Sequence, residues 1–258
     1  MSGTDIGLHW FRKGLRLHDN LALLDCCKRQ AILPVFCLDP HFANEQVVGS
    51  NRYSFLLDSL KDLDESLRSR GSRLIVLRGN PSDCLVNFAL KHGVTHATFE
   101  SDIEPYALRR DSEISRCFKE SKISVATFET HTLHSKDAYE QYCQRNRLPI
   151  PSTYASFCKL FESMGRPRLD VDIPDIIPPL PTSALLTDTQ YDVPTLADMG
   201  YVNLRNLGAD KFPGGETEAL RRLHNTVTSD ARADWVRKFE KPLTAPNSLS
   251  PSTTVGTI

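Results

Sequence analysis

Apolar runs and amphipathic segments alternate along the first half of the chain at the spacing of strands followed by helices. Ile6 to Phe11 is a short apolar run, and a helix is expected from about Asp19 to Arg29. Ala31 to Leu38 is almost wholly apolar, as a strand covered on both faces requires. Pro34 inside it removes a ladder donor, which weakens the first half of that strand. Between Asn51 and Arg70, Tyr53, Leu56, Leu57, Leu60, Leu63 and Leu67 recur at helical spacing, with Lys61, Asp62, Asp64, Glu65 and Arg68 on the opposite side. Gly71 then supplies a stop. Arg73 to Leu77, Val94 to Phe99 and Ile123 to Phe128 read as three further strands. Pro81 and Pro105 open the helices between them, where a missing N–H is harmless. The first of these turns Cys84, Leu85, Phe88 and Ala89 inward, and the second Leu108, Ile114, Cys117 and Phe118. Five strands alternating with four helices predict an α/β fold with a five-stranded, doubly wound parallel sheet of Rossmann-like type.

The pattern changes after about residue 134. Eight of the chain's 16 prolines fall between Leu148 and Thr195, and only Thr153 to Met164 reads there as a helix of any length. So long an irregular stretch is unusual inside a compact domain, so residues 135–212 are expected to be an interdomain connector. Residues 213–258 read as the start of an all-α domain. A helix follows Phe212-Pro213-Gly214-Gly215-Glu216, with acids in its first turn and Leu220, Leu223 and Val227 on one face. Trp235, Phe239 and a polar Ser/Thr/Pro-rich end come after it. Nothing evident in the sequence covers that apolar face, which makes it a candidate protein-interaction surface together with Phe239.

Composition narrows the classes. A formal net charge of -1 gives no basic stripe for DNA. No apolar run approaches the roughly 20 residues of a spanning helix, and residues 1–5 are no signal peptide, so a soluble intracellular protein with no membrane partner is expected. The seven cysteines contain no C-x-x-C and read as reduced, packed thiols. Cys143 near His131 and His134 matches no zinc spacing, so no metal site is expected. Phosphate-loop, dinucleotide and nucleophile-elbow motifs are absent. His9, within a strand, reads as a packed histidine.

The richest chemistry lies in His9-Trp10-Phe11-Arg12-Lys13-Gly14-Leu15-Arg16-Leu17-His18-Asp19-Asn20. A strand passes through cations into a helix capped by Asp19 or Asn20. At the carboxyl end of a parallel sheet such a crossing favours an anion or a polar aromatic ring. The simpler role for Arg12 or Arg16 is pairing with Asp19.

That stretch, with Phe36-Cys37-Leu38-Asp39-Pro40, Asp58 to Leu67, Asp102-Ile103-Glu104-Pro105-Tyr106, Pro213-Gly214-Gly215-Glu216-Thr217-Glu218-Ala219-Leu220 and Asn247-Ser248-Leu249, resembles the cryptochrome/photolyase family, specifically animal cryptochromes and (6-4) photolyases. The resemblance runs over the chain except its last few residues. It implies an N-terminal α/β domain, a long connector and a helical domain holding FAD, in blue-light flavoproteins of nucleus and cytoplasm. Photolyases of this type repair UV-damaged DNA by photoinduced electron transfer, and cryptochromes signal in light or clock pathways with protein partners. Thr253 and Thr254 match the start of the family's flavin-phosphate segment, and Thr257 stands where its phosphate-contacting serine falls, but Gly256-Thr257-Ile258 replaces the usual continuation. The resemblance therefore implies an N-terminal fragment that lacks most of the flavin pocket, retains little or no DNA binding and carries no catalytic residue of its own. Trp10 and Trp235 do not match the family's electron-transfer tryptophans. In some relatives the α/β domain holds a deazaflavin or folate antenna chromophore. Phe36, Cys37, Arg52, Asp102 and Glu104 match that pocket by position, while Gly14 stands where several deazaflavin binders carry Asp. The simpler roles are a helix cap for Glu104 and pairing with Arg109 or Arg110 for Asp102.

Overall fold

The computed structural model describes residues 4–42, 48–168, 170–201 and 213–227. Five strands, β1 (Ile6–Phe11), β2 (Ala31–Leu38), β3 (Ile75–Arg78), β4 (His96–Glu100) and β5 (Ser124–Phe128), form one sheet in the order β3-β2-β1-β4-β5. Every pairing is parallel. The chain winds outward from β1 to β3, then returns to the other side of β1 for β4 and β5. Helices α1 (Leu21–Cys26) and α2 (Ser50–Arg68) cover one face, and α3 (Pro81–Lys91) and α4 (Pro105–Glu120) the other.

Strand alternation sorts the side chains between the two layers. Ile32 and Val76 meet Leu23, Leu57, Leu60 and Leu63 on the α1/α2 side. Trp10, Leu33, Val35 and Phe99 meet Leu85, Phe88, Ile114 and Phe118 on the α3/α4 side. Each such leucine or phenylalanine contributes on the order of 2 kcal/mol by leaving water.

Several expectations are adjusted. Asp19 has φ 46° and lies outside the first helix; Asn20 caps it, its side chain accepting from Leu23 N. Leu108 is exposed, because α4 turns Ala107, Ile114 and Phe118 to the sheet and Leu108 sits about 100° around the helix from that stripe. Pro34 is accommodated within β2. Ile32 N bonds to Pro179 O, and the pairing with β3 begins only at Val35, so the donor that Pro34 lacks faces a gap in the ladder.

Between Leu148 and Thr195 the one helix of any length is the expected one, but the connector as a whole holds more structure than expected. An additional helix, α5 (Lys136–Asn146), starts at Ser135, whose side chain accepts from Ala138 N. Helix α6 (Tyr154–Met164) is capped by a reciprocal Thr153–Ser156 box. The following chain runs along the β3 edge through short 3₁₀ turns at Ser183–Leu186, Thr189–Tyr191 and Ala197–Met199. It buries Ile177 against one layer and Leu180, Leu185 and Tyr191 against the other. Arg73, 1% exposed, holds it there by donating to the carbonyls of Leu185 and Asp188 and to the Asp192 carboxylate at 3.1, 2.9 and 2.6 Å. Covering an edge strand in this way also blocks edge-to-edge pairing.

Helix α7 (Glu216–Val227) packs against α2. Added Cβ atoms at Gly214 and Gly215 would lie 2.3 Å from Phe55 O and 2.7 Å from Asp62 Cβ, and Gly215 has φ 119°. Only glycines permit this approach. The uncovered face expected at Leu220 and Leu223 is therefore corrected in part. Ala219 and Glu216 are buried and Leu223 is half-buried, whereas Leu220 is exposed. The side chain of Val227, and Trp235 and Phe239 with their surroundings, lie outside the described residues.

Candidate functional site

The sheet order reverses between β1 and β4, so the crevice of the fold opens at the carboxyl ends of those two strands. Arg12 leaves β1 on the same side as Trp10 and meets Asp111 of α4 at 2.6 Å and the Glu100 carbonyl at 2.9 Å. Its second terminal nitrogen is buried without a hydrogen bond, 3.6 Å from Asp102. Burial, then the nearby Arg110, lower the pKa of this guanidinium. Arg12 and Arg110 lie over the Trp10 ring at 4.8 and 4.9 Å from its centroid.

Lys13 bridges Asp102 and Glu104, at 2.9 Å from each. Burial works against its charge, but the two carboxylates outweigh it and raise the ammonium above its ordinary value. Burial likewise opposes the charge of Asp102, yet the hydrogen bonds from Lys13 and from the Glu104 and Ile103 amides hold its carboxyl below the usual range. Buried Glu100 accepts from Gly14 N at 3.1 Å and from the Thr130 hydroxyl. A Cβ on Gly14 would meet the Glu100 carboxylate at 2.5 Å, so the absence of a side chain at Gly14 makes room for an acid supplied by β4. Asp39, at the end of β2, accepts from Tyr106 at 2.7 Å. Burial, then Asp39, push the Tyr106 phenol up to about 12. His41 stacks on the Tyr106 ring at 3.8 Å, and Phe42 meets it edge-on.

The loop from β1 to α1 does receive an anion, and the protein supplies it. Glu216, in the first turn of α7, accepts from Leu17 N at 2.8 Å, from His18 N at 3.0 Å and from the His18 imidazole. Arg16 pairs with Asp19 at 3.4 Å, and Arg168 meets the other Asp19 oxygen at 2.9 Å. The simpler reading of this loop thus holds for Arg16, whereas Arg12 turns to α4.

Of the five residues matched to an antenna pocket, contacts bring two together. Phe36 packs on the α1/α2 layer and Cys37 belongs to the α3/α4 layer. Arg52 is exposed on the first turn of α2. Asp102 and Glu104 do come together, through Lys13 rather than through Arg109 or Arg110, and Glu104 makes no side-chain cap to α4. The acceptors suited to a chromophore already serve neighbouring cations, and the His41–Tyr106–Phe42 stack lies beside Asp39. Among the described residues no hydrogen bond or ion pair joins Phe36, Cys37 or Arg52 to Asp102 or Glu104. Thr253, Thr254 and Thr257 lie outside the described residues.

His9 is fully buried. Asn20 Oδ1 accepts from Leu23 N, so its amide nitrogen donates to His9 Nε2, at 3.4 Å, and His9 Nδ1–H donates to Thr98 at 3.0 Å. Burial lowers the imidazole to about 3, consistent with a packed neutral ring. Among the described residues no group of three or more His, Cys, Asp or Glu side chains could hold a metal ion. No helix among them is long and apolar enough to cross a membrane. Sequence reasoning assigned Asp39, Tyr106 and Asp111 no role, named Arg110 only as a partner for Asp102, and read Glu216 only as an acid at a helix start. Gly-Gly-Glu at a helix start was the available signal for Glu216; the others meet only through the sheet order.

A doubly wound parallel sheet with a polar crevice at its switch point defines a Rossmann-like α/β protein. The chain belongs to the DNA photolyase family, whose model, described as "DNA photolyase", matches residues 7–178. It is 38% identical over 251 residues to cryptochrome-1 of Spalax judaei and 38% over 253 residues to cryptochrome-2 of Gallus gallus, in both cases across 96% of this chain and 42% of the relative. Its fold is that of the cryptochrome from Synechocystis sp. PCC6803, with TM-score 0.78 and 23% identity over all of this chain and 54% of that one. An archaeal photolyase from Sulfolobus tokodaii, described with two FAD molecules and a proposed light-harvesting cofactor, aligns at TM-score 0.69 and 25% identity over 98% of this chain and 52% of that one. The chain thus spans less than half the length of the curated relatives it matches.

Proposed function

We propose that these residues form the α/β portion of a blue-light flavoprotein of the cryptochrome or (6-4) photolyase type, acting in clock or light signalling or in repair of UV-damaged DNA. The supporting observation is the seat of Glu216. Two of the segments that carry the family resemblance, the β1–α1 loop and the Gly214-Gly215-Glu216 turn, meet through one carboxylate and two backbone amides. The loop therefore serves to dock the start of the helical part onto the sheet. FAD is the cofactor of this reading, with Thr253, Thr254 and Thr257 assigned to its phosphates by resemblance. When bound, the flavin supplies the light absorption and the electron; this portion of the protein supplies placement.

On this reading, flavin chemistry needs more of the relatives' length than these 258 residues span. The test is to purify the 258-residue chain with excess FAD, measure flavin bound per protein, and assay light-dependent repair of irradiated duplex DNA. The expected result is flavin far below one per chain and no repair. Stoichiometric, photoreducible flavin or lesion repair would overturn it.

A further inference from the structure

Helices α5 and α6 make a groove that the docking of α7 and the charge network leave unused. Each has 11 residues, about 16 Å of helix, yet only Cys143 of α5 and Leu160 of α6 are buried. Between them lies a cavity of about 550 Å³ with Tyr139, Leu148, Ile150 and Phe157 among its walls. Leu148, Ile150 and Phe157 are 46%, 64% and 40% exposed, a concentration of uncovered apolar surface that marks an interface. The rings of Tyr139 and Phe157 lie 5.5 Å apart, so the aromatic wall is already assembled.

The charge around this groove has a sign. The charged side chains that line it are Lys136, Glu140 and Arg147. Lys136 is compensated by Glu140 at 3.5 Å. Arg147 lines the groove at the left-handed end of α5, with φ 53°. It makes no side-chain hydrogen bond or ion pair among the described residues.

We propose that the α5/α6 groove binds a short amphipathic helix of a partner protein, with apolar side chains at i, i+3 or i+4, and i+7 in the groove and acidic residues facing Arg147. Three such anchors span about 10 Å of helix, within the length of the walls. The unpaired Arg147 selects an acidic flank, and the concave aromatic wall suits a helix face better than a flat surface. This inference does not depend on flavin binding.

The test selects helix-forming peptides of about 12 residues from a random displayed library on the intact chain, then measures them by fluorescence polarisation. The expected binders are net acidic with the stated apolar spacing, and weaken at higher salt. Phe157→Ala and Arg147→Glu should each weaken them by about tenfold or more, with the far-UV circular dichroism of the chain unchanged. Ile150→Asp, at a more exposed position, should do the same. Basic binders, binders indifferent to all three variants, selection without a consensus, or self-association of the chain through this face would each overturn the proposal.

Discussion

His9 shows how a single buried residue contributes to the response of this fold to acid. Its ring is held neutral by Asn20 on one nitrogen and Thr98 on the other, with no charged partner among the described residues, and burial lowers its pKa from 6.5 to about 3. Between those values the unfolded chain binds a proton that the folded chain refuses. The stability contributed by this site is therefore complete above pH 6.5 and is lost as pH falls toward 3, by up to about 1.4 kcal/mol per pH unit. His92, also lowered by burial, acts in the same direction, so the comparison must be with a variant. Urea unfolding at about pH 7 and about pH 5.5 should show the wild-type chain losing about 1 kcal/mol more than His9→Gln over that interval. Equal losses would contradict the assignment. The packed character of His9 was legible in the sequence, since an isolated histidine in an apolar strand has little else to do. The partners that fix its tautomer were not, because Thr98 is 89 residues away and becomes a neighbour only through the β1–β4 pairing.

At the scale of elements, all five strands and the four helices between them could be read from periodicity, because a sheet covered on both faces demands continuous apolar runs and its helices a single stripe. The misses lie where polar interactions decide. Helix α5 has only Cys143 buried, so it leaves no apolar stripe to read, and its start rests on the Ser135 cap. Leu108 lies beside the stripe of α4 that Ala107, Ile114 and Phe118 form, and periodicity alone does not separate it from that stripe. The connector's path depends on Arg73, a cation at the start of an apolar strand whose carbonyl and carboxylate partners lie more than 100 residues further along. Replacing it by methionine keeps the aliphatic stem but leaves buried carbonyls without a donor. Arg73→Met should cost about 3 kcal/mol in urea unfolding and expose the 182–192 stretch to limited proteolysis. A loss under about 0.5 kcal/mol, with the stretch still resistant, would show that apolar contacts alone hold it.

For the whole molecule, the central feature is that the anion expected at the β1–α1 loop comes from the protein itself. The sequence showed a cationic loop after the first strand and, some 200 residues later, a Gly-Gly-Glu turn opening a helix. That the two meet depends on α7 lying along α2, where Gly214 and Gly215 admit the backbone to Phe55 and Asp62. The candidate site was thus half legible: the loop and Asp102 with Glu104 could be named, while their partners required the fold. Of the positions matched to an antenna pocket, Asp102 and Glu104 share Lys13, a contact that only the fold reveals.

The decisive measurement is hydrogen exchange, residue by residue, on the wild-type chain and on Glu216→Ala. If the Glu216 carboxylate joins the two parts, the Leu17 and His18 amides and the first turn of α7 should lose protection by about tenfold or more in the variant, while β1, β2 and β4 stay as protected as before. Unchanged protection at Leu17, His18 and α7 would contradict the account.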